Sequence, residues 1–277
     1  MIVSYRFIKL PPNPITIMKG NTMPEEIHIP EPVASMSITD KFIGILSSPG
    51  EVFEHVASYP EKQNSNWGVP IVATILMMII YTFVVFKQPA IQDQMSTIQN
   101  KAMQQRVADG KMTQEQMEKA MEFAPKGGSP MFLIFGSLGS VVTAFLMLFI
   151  YSGLYWLGGK YIASAQAPFS KVLEVYGLSL YVVVIGTLVS MVTVVAMGSI
   201  YAQPSLALAI SDFNPMNKVH KLLNAINIIE FWQMFVLGVG LSKIWKASLG
   251  KSLGVVVGVW VVWNAIKIFS GMSLGGM

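Results

Sequence analysis

The stretch MFLIFGSLGSVVTAFLMLFIYSGLYWL, residues 131–157, contains no charged side chain. A helix of about 20 apolar residues crosses the hydrocarbon core of a bilayer, so this stretch is long enough to span one. The whole chain has the same character, because 53% of its 277 residues are hydrophobic and only 12% are charged. A soluble domain carries about 25% charged residues. The sequence therefore predicts an integral membrane protein.

Four more apolar stretches lie on either side of this one. The expected spans are about residues 69–86, 131–157, 176–197, 224–243 and 253–270. The fourth span is the least regular, because the apolar run between Glu230 and Lys243 is too short to cross the bilayer without residues 224–229. The predicted fold class is all-α: a polytopic membrane protein whose five transmembrane helices occupy residues 61–270.

Residues 38–60 precede the first span and carry apolar side chains at helical spacing in two short segments. Ser48 is expected to be the N-cap of the second segment, with Pro49 in the first helical position and Glu51 completing a capping box. Phe53 lies on the apolar side of that second helix. Two short amphipathic helices ahead of a first span are expected to lie in the plane of the membrane interface.

Residues 1–37 are expected to form a flexible N-terminal arm, because they contain six prolines and little periodic pattern. No uninterrupted apolar run of signal-peptide length follows the first basic residues. Met23 is an alternative to Met1 as the initiating residue. At the other end, residues 271–277 are expected to form a C-terminal tail.

Residues 87–130, between the first and second spans, are predicted to form a helical hairpin. Apolar residues recur at helical spacing up to Gly110, which is expected to end the first helix. Thr113 and Gln116 predict a capping box at the start of the second helix. Three methionines are expected on its apolar side: Met112, Met117 and Met121. These methionines favour either packing on the membrane core or bilayer surface, or an adaptable surface that receives a partner.

The composition excludes several kinds of chemistry. There are no cysteines, so the chain has no disulfide, no thiolate metal ligand and no cysteine nucleophile. The three histidines lie outside the predicted spans, and the sequence contains no H-E-x-x-H zinc motif. It also lacks the dense run of Lys and Arg that indicates nucleic-acid binding. We therefore expect a non-enzymatic protein with no cofactor, no metal and no nucleic-acid partner.

Glu230 is the charged residue that comes nearest to the interior of a predicted span, where a charge is costly and hence a functional candidate. Two interpretations remain open. In one, Glu230 lies at headgroup level beside Trp232; in the other, it contributes to permeation, with Lys243 at the opposite end of the helix. Lys171 and Glu174, three residues apart before the third span, are expected to form an ordinary surface ion pair.

Small residues recur at four-residue spacing within the spans, which allows transmembrane helices to approach closely. The pairs are Gly136/Ser140, Gly186/Ser190, Gly238/Ser242 and Gly254/Gly258. They indicate a compact bundle and not a binding site.

Short motifs spread along the chain resemble those of the Yip family, membrane proteins related to the Ypt/Rab-interacting proteins. They are S-S-P-G-E-V-F at residues 47–53, G-G-K-Y-I at 158–162, F-S-K-V-L-E-V-Y-G-L-S-L at 169–180 and F-W-Q-M-F-V-L-G-V-G-L at 231–241. The resemblance covers about residues 40–270, points to bacterial members, and implies a five-span helical domain with a cytoplasmic N-terminus. Eukaryotic members are associated with vesicle trafficking and the binding of small GTPases. The hairpin at 87–130 has no counterpart in this pattern.

The expected function is membrane organisation or the scaffolding of partner proteins. The expected partners are the lipid bilayer and other membrane proteins or a second copy of the chain. The alternatives are a small-solute or ion permeation protein that uses Glu230, and an accessory subunit of a larger membrane complex. The candidate interaction or structural residues are Ser48, Pro49, Glu51, Phe53, Glu230, Trp232 and Lys243.

The expected location is the bacterial cytoplasmic (inner) membrane, with the N-terminus in the cytoplasm. The basic residues of the short loops favour this orientation by the positive-inside rule, whereas those of the first loop oppose it. The resemblance to the Yip family implies the same orientation as the short loops.

Overall fold

The computed structural model describes residues 35–215 and 217–269. Within these ranges the chain forms ten α-helices, one short 3₁₀ helix (Leu206–Ala209) and no β-strand. The α-helices are α1 (Ile38–Ser47), α2 (Pro49–Ser58), α3 (Ser65–Val85), α4 (Pro89–Ala108), α5 (Gln114–Phe123), α6 (Pro130–Tyr161), α7 (Phe169–Met197), α8 (Lys218–Ala225), α9 (Ile228–Trp245) and α10 (Leu249–Phe269). Most of the predicted arm at 1–37, both candidate initiating methionines and the predicted tail at 271–277 lie outside the described residues.

The prediction of an all-α protein with five transmembrane helices is confirmed. Five helices of the described residues are long and apolar enough to cross a membrane: α3, α6, α7, α9 and α10. Helices α6 and α7 extend beyond the predicted spans, to 32 and 29 residues.

The fourth span begins at Ile228, four residues later than expected. Asn224 belongs to the separate helix α8, and the chain leaves the helical conformation at Ile226. The side chain of Asn227 then accepts a hydrogen bond from the backbone N–H of Ile229 at 2.9 Å, which caps α9. An N-cap of this kind starts a new helix, so α8 and α9 are not continuous.

The five long helices pack with alternating direction. Helices α3 and α7 run parallel, because Asn66 near the start of α3 contacts Glu174 near the start of α7. Gly240 near the end of α9 lies against Val175 near the start of α7, so α9 runs the opposite way. Gly159 near the end of α6 lies against Trp245 at the end of α9, so α6 has the same direction as α9. We call the end where α3 and α7 begin the N-terminal face, and the end that carries α4 and α5 the hairpin face.

The first two helices are built into the bundle at its N-terminal face. Ile45, Val52, Phe53 and Val56 are all buried, and they belong to the same core as residues of α7 and α9. The ring of Phe53 lies against the position where Gly240 of α9 has no side chain. The apolar faces of α1 and α2 are therefore covered by protein, because the bundle supplies a complementary surface. Their position in the plane of the membrane interface stays a prediction.

Ser48 is the N-cap residue of α2 and Pro49 follows at the first helical position, as predicted. The capping-box prediction is wrong, since the Ser48 side chain makes no capping hydrogen bond. Ser48 also ends α1, with φ −142° and ψ 60°, instead of adopting the extended conformation that an N-cap side chain normally requires.

The hairpin prediction is confirmed in its elements. Gly110 follows α4 with φ +69°, and Thr113 with Gln116 forms both hydrogen bonds of a capping box at α5. Ile91 is fully buried, and α4 packs into a second core with residues of α3, α6 and α7. Packing on the membrane core thus describes α4. Of the three methionines predicted on the apolar side, Met117 is buried, Met112 is half-buried and Met121 is 40% exposed.

Glycine allows the closest approach between two spans. A Cβ added at Gly177 of α7 would collide with the Cα and Cβ atoms of Trp67 and lie 2.9 Å from the backbone oxygen of Asn66, both in α3. Among the predicted small-residue pairs, Gly186 and Gly238 also face close neighbours. The prediction is wrong for Gly254/Gly258, where an added Cβ would meet no atom of another helix within 4 Å.

We expect Gly177→Ala to lower the free energy of unfolding by roughly 1–3 kcal/mol, because the backbone of α3 cannot move aside as a side chain would. Gly254→Ala is the matched control and should be neutral or stabilising by about 0.5–1 kcal/mol, since alanine favours the helix and nothing blocks it. Thermal unfolding in mild detergent measures both. Equal midpoints for the two variants would contradict the close contact.

Candidate functional site

A buried carboxylate at the N-terminal face connects α7 to α3. Glu174 of α7 is 1% exposed. Its Oε2 accepts a hydrogen bond of 2.7 Å from the Asn66 side chain of α3, and its Oε1 accepts one of 3.2 Å from the backbone N–H of Gln63. The Lys171 ammonium lies 3.4 Å from the same Oε1. Such a charge is tolerated in a protein interior because it is both paired and hydrogen-bonded.

Lys41 extends this network into α1. Its ammonium donates hydrogen bonds of 2.6 Å to the side-chain oxygen of Gln63 and 2.7 Å to that of Asn66. Burial lowers the pKa of Lys41, the negative charge of Glu174 opposes that change, and Lys171 adds to it. The buried lysine therefore depends on Glu174 as the negative charge that stabilises its protonated form.

Lys171 attaches α2 to the same network. Its ammonium donates to the backbone oxygens of Val56 and Glu61, each at 3.1 Å. Val56 lies in the last turn of α2, where a helix leaves carbonyl groups without internal partners and where a cation is favourable. One lysine thus holds the end of α2 and pairs with Glu174 in α7.

The prediction of an ordinary surface ion pair between Lys171 and Glu174 is wrong. The three-residue spacing is correct, but α1, α2 and α3 cover the pair. One signal in the sequence indicates the burial: the run VLEVYGLSLYV, residues 172–182, is apolar on every side of the helix, so it offers Glu174 no solvated face.

Phe53 of α2 is buried, whereas the acidic residues of this helix lie on its solvent-exposed side, outside this network. Glu51 is exposed, and the neighbouring Glu54 forms an ion pair of 2.9 Å with Lys243 at the end of α9. The hydrogen bond from Lys243 lowers the pKa of Glu54. The pair is open to solvent, so it contributes little to stability. The structure brings Phe53 and Lys243 to the same end of α9 and places Glu230 at the other.

We expect Glu174→Gln to lower the free energy of unfolding by roughly 3 kcal/mol, because it leaves two buried ammonium groups without their carboxylate. Glu115→Gln is the matched control. It breaks the exposed Glu115–Lys119 ion pair on α5 and should cost about 0–1 kcal/mol. Thermal unfolding in detergent at neutral pH compares them, and equal losses would show that the Glu174 network does not stabilise the fold.

A second feature lies at the hairpin face, where α3, α6, α7 and α9 surround a cavity of about 510 Å³ that we call the inner cavity. This volume falls within the range of small-molecule sites. Its polar lining residues are Tyr81, Thr82, Ser140, Thr187, Ser190, Gln203, Asn227, Glu230 and Gln233. Glu230 is the one charged residue among the lining residues of this cavity.

Glu230 occupies the first turn of α9. Its Oε2 accepts a hydrogen bond of 2.9 Å from the indole N–H of Trp260 in α10. The indole that meets Glu230 is therefore that of Trp260 and not that of Trp232, which packs against the main core. The positive end of the α9 dipole favours a carboxylate in this position.

A larger opening of about 1570 Å³, which we call the outer cleft, lies between the hairpin and helices α6, α8 and α10. Glu230 lines the outer cleft as well as the inner cavity, and the two share no other lining residue. The described residues contain no group of His, Cys, Asp and Glu that could hold a metal ion. The chemistry available at Glu230 is therefore that of a single carboxylate with aromatic and amide neighbours.

These features define a multi-pass α-helical membrane protein with a helical unit docked at one face and a cavity at the other. The chain belongs to the Yip1 family: the family model described as the Yip1 domain matches residues 43–269, from within α1 to the end of α10. The family is one of non-enzymatic membrane proteins. Comparison with curated proteins and with solved structures gives no match.

Proposed function

We propose that this protein organises a membrane by holding partner proteins on a rigid acidic surface formed by α1 and α2, which we call the platform. The observation that carries the proposal is the charge of its open side. Asp40, Glu51 and Glu54 are exposed, whereas Lys41, the one lysine of these two helices, is buried. Because Glu54 is paired with Lys243, the negative charge of the solvated side comes mainly from the carboxylates of Asp40 and Glu51.

An acidic platform suits a basic protein segment better than a lipid surface. Helices that lie on anionic membranes carry Lys and Arg on the polar face. Complementary charge instead steers a basic partner to the site and excludes acidic competitors. Ile38 and Ile43 of α1 are more than half exposed, which adds apolar contact area beside Asp40. A surface of this composition can bury apolar groups within a ring of charges.

The network around Glu174 supports the proposal because it keeps the platform in one orientation. A surface that is already ordered loses little conformational entropy when it binds, so its contacts contribute more fully to affinity. The proposal places the platform in the cytoplasm and the five spans in the bacterial inner membrane. Ser48 and Pro49 have a structural part in it, as the corner between the two helices.

Charge reversal tests the platform without disturbing its buried side. We expect the amount of partner that co-purifies with the protein from mild detergent to fall about tenfold or more in the double variant Asp40→Lys, Glu51→Lys. The matched control reverses two exposed acids on α5, Glu115→Lys with Glu118→Lys. Deletion of the platform is unsuitable, because it would uncover core residues of α7 and α9.

Three outcomes are decisive in that purification. Loss from the platform variant alone supports the proposal, and the mass of the captured species shows whether it is another protein or a second copy. Equal retention by both variants contradicts the platform and favours an accessory subunit that contacts its complex through the spans. A wild-type protein that purifies alone also contradicts it.

A second candidate function, the permeation of a small solute or ion, is supported by the position of Glu230 between two cavities. If the carboxylate selects a cation, Glu230→Gln should reduce cation flux about tenfold or more in proteoliposomes, because a neutral amide no longer compensates the charge. The isosteric amide still accepts the hydrogen bond from Trp260. Unchanged flux in Glu230→Gln, measured against empty liposomes, would remove this candidate.

A further inference from the structure

The position of Glu230 is unusual because it joins two spaces of different chemistry. The inner cavity lies between four membrane-spanning helices, and its lining includes the apolar side chains of Met78, Phe132, Val183 and Ile229. The outer cleft reaches the loops and the hairpin, where polar side chains predominate. A ligand that touches Glu230 from both sides would need one apolar part and one polar part.

The groups beside Glu230 favour a positively charged ligand atom. No Lys or Arg is among the lining residues of the inner cavity. In the outer cleft the rings of Tyr151 and Trp263 also line the wall, with their centroids 5.8 Å apart and their planes at 70°. A carboxylate together with the faces of aromatic rings is the combination that recognises ammonium groups.

The outer cleft also contains basic side chains, which include Arg106, Lys111 and Lys126 on the hairpin side. Lys221 of α8 and Lys267 of α10 line it, and both side chains are half-buried. Asn224 and Asn264 lie in the same wall and offer amide groups. Basic and amide groups are the side chains that bind a phosphate. The cleft therefore pairs an ammonium site with an anion site.

We propose that the inner cavity and the outer cleft together bind one zwitterionic phospholipid with an ammonium headgroup. Its ammonium contacts Glu230 beside the paired rings of Tyr151 and Trp263, its phosphate contacts Lys221 and Lys267, and an acyl chain enters the inner cavity. The bilayer around the spans supplies such a molecule, and a lipid has the apolar tail that the inner cavity accommodates. A free organic cation shares the ammonium chemistry but has no group for that cavity.

This proposal does not depend on the platform, which lies at the opposite face, nor on permeation. Binding is an equilibrium property, so it persists if Glu230→Gln leaves flux unchanged. It also survives a purification in which no protein partner is found.

Competition between two lipids tests the site. The purified full-length protein is mixed in detergent with equal amounts of phosphatidylethanolamine and phosphatidylglycerol that have the same acyl chains, and bound lipid is counted by native mass spectrometry. Both lipids carry the phosphate, but only the first carries the ammonium. We expect the wild-type protein to favour phosphatidylethanolamine about tenfold.

Two variants assign that preference to Glu230. In Glu230→Gln the ratio should fall towards one, while total lipid binding through the basic groups remains. Asp93→Asn is the matched control, because it removes an exposed carboxylate from the α4 wall of the same outer cleft and should leave the ratio unchanged. Trp263→Leu should lower the ratio without removing the carboxylate. Thermal unfolding confirms that each variant is folded.

Two results would overturn the proposal. One is equal binding of the two lipids to the wild-type protein; the other is a preference that Glu230→Gln retains. A third measurement distinguishes a lipid headgroup from a free organic cation as the ligand. Ethanolamine, which has no acyl chains, is titrated into the delipidated protein. If it binds as tightly as the lipid and depends equally on Glu230, the ligand is a free cation and the lipid assignment is wrong.

Discussion

The carboxylate of Glu174 is the interaction on which the N-terminal face depends. Through direct contacts with Asn66, Gln63 and Lys171 it connects α7 to α3 and to the segment before α3. Lys171 and Lys41 then extend the connection to α2 and α1. Burial would make any one of these charges unfavourable by itself, so the groups are stable only as a set. The position of both platform helices follows from that set.

The two ends of the bundle are consequently different. At the N-terminal face the helices meet closely, with the backbone of α3 against Gly177 and the ring of Phe53 against Gly240. Towards the hairpin face the bundle is open: the start of α6 lines the inner cavity, and the middle of α6, from Thr143 to Tyr151, lines the outer cleft. The scaffold and lipid-site proposals assign one role to each end. The long apolar helices between them separate the two sites.

The sequence predicts well what the bilayer imposes and poorly what tertiary packing decides. The number of spans follows from apolar length, because lipid sets the minimum for each. The predicted start of α9 is four residues too early, because the side chain of Asn227 caps a new helix within the stretch 224–243. The amphipathic pattern of residues 38–60 identifies an apolar face, but pattern alone does not say whether lipid or α7 and α9 cover it. The prediction of a surface position for Glu174 is wrong for the same reason.

The candidate sites divide in the same way. Glu230 can be recognised in the sequence as a charge near a span. Its hydrogen-bond partner Trp260 lies 30 residues away, and the inner cavity forms only when four helices pack together, so neither follows from a local pattern. The helices of the hairpin are predicted correctly, because a glycine stop and a capping box are local signals, but the sequence leaves open what its methionines contact. No local signal brings Tyr151 and Trp263 together, since their contact joins α6 and α10.

The docking of the platform also sets an order of assembly. Its helices are the first of the described segments to leave the ribosome. Glu174, however, is synthesised 108 residues after its partner Asn66, and Lys243 is synthesised 189 residues after its partner Glu54. At about 5–20 residues per second, the apolar sides of α1 and α2 remain uncovered for many seconds of synthesis. The platform is thus synthesised early but reaches its final packing late, after the third and fourth spans have entered the membrane. A correctly placed platform is therefore a sign that the bundle beneath it has assembled.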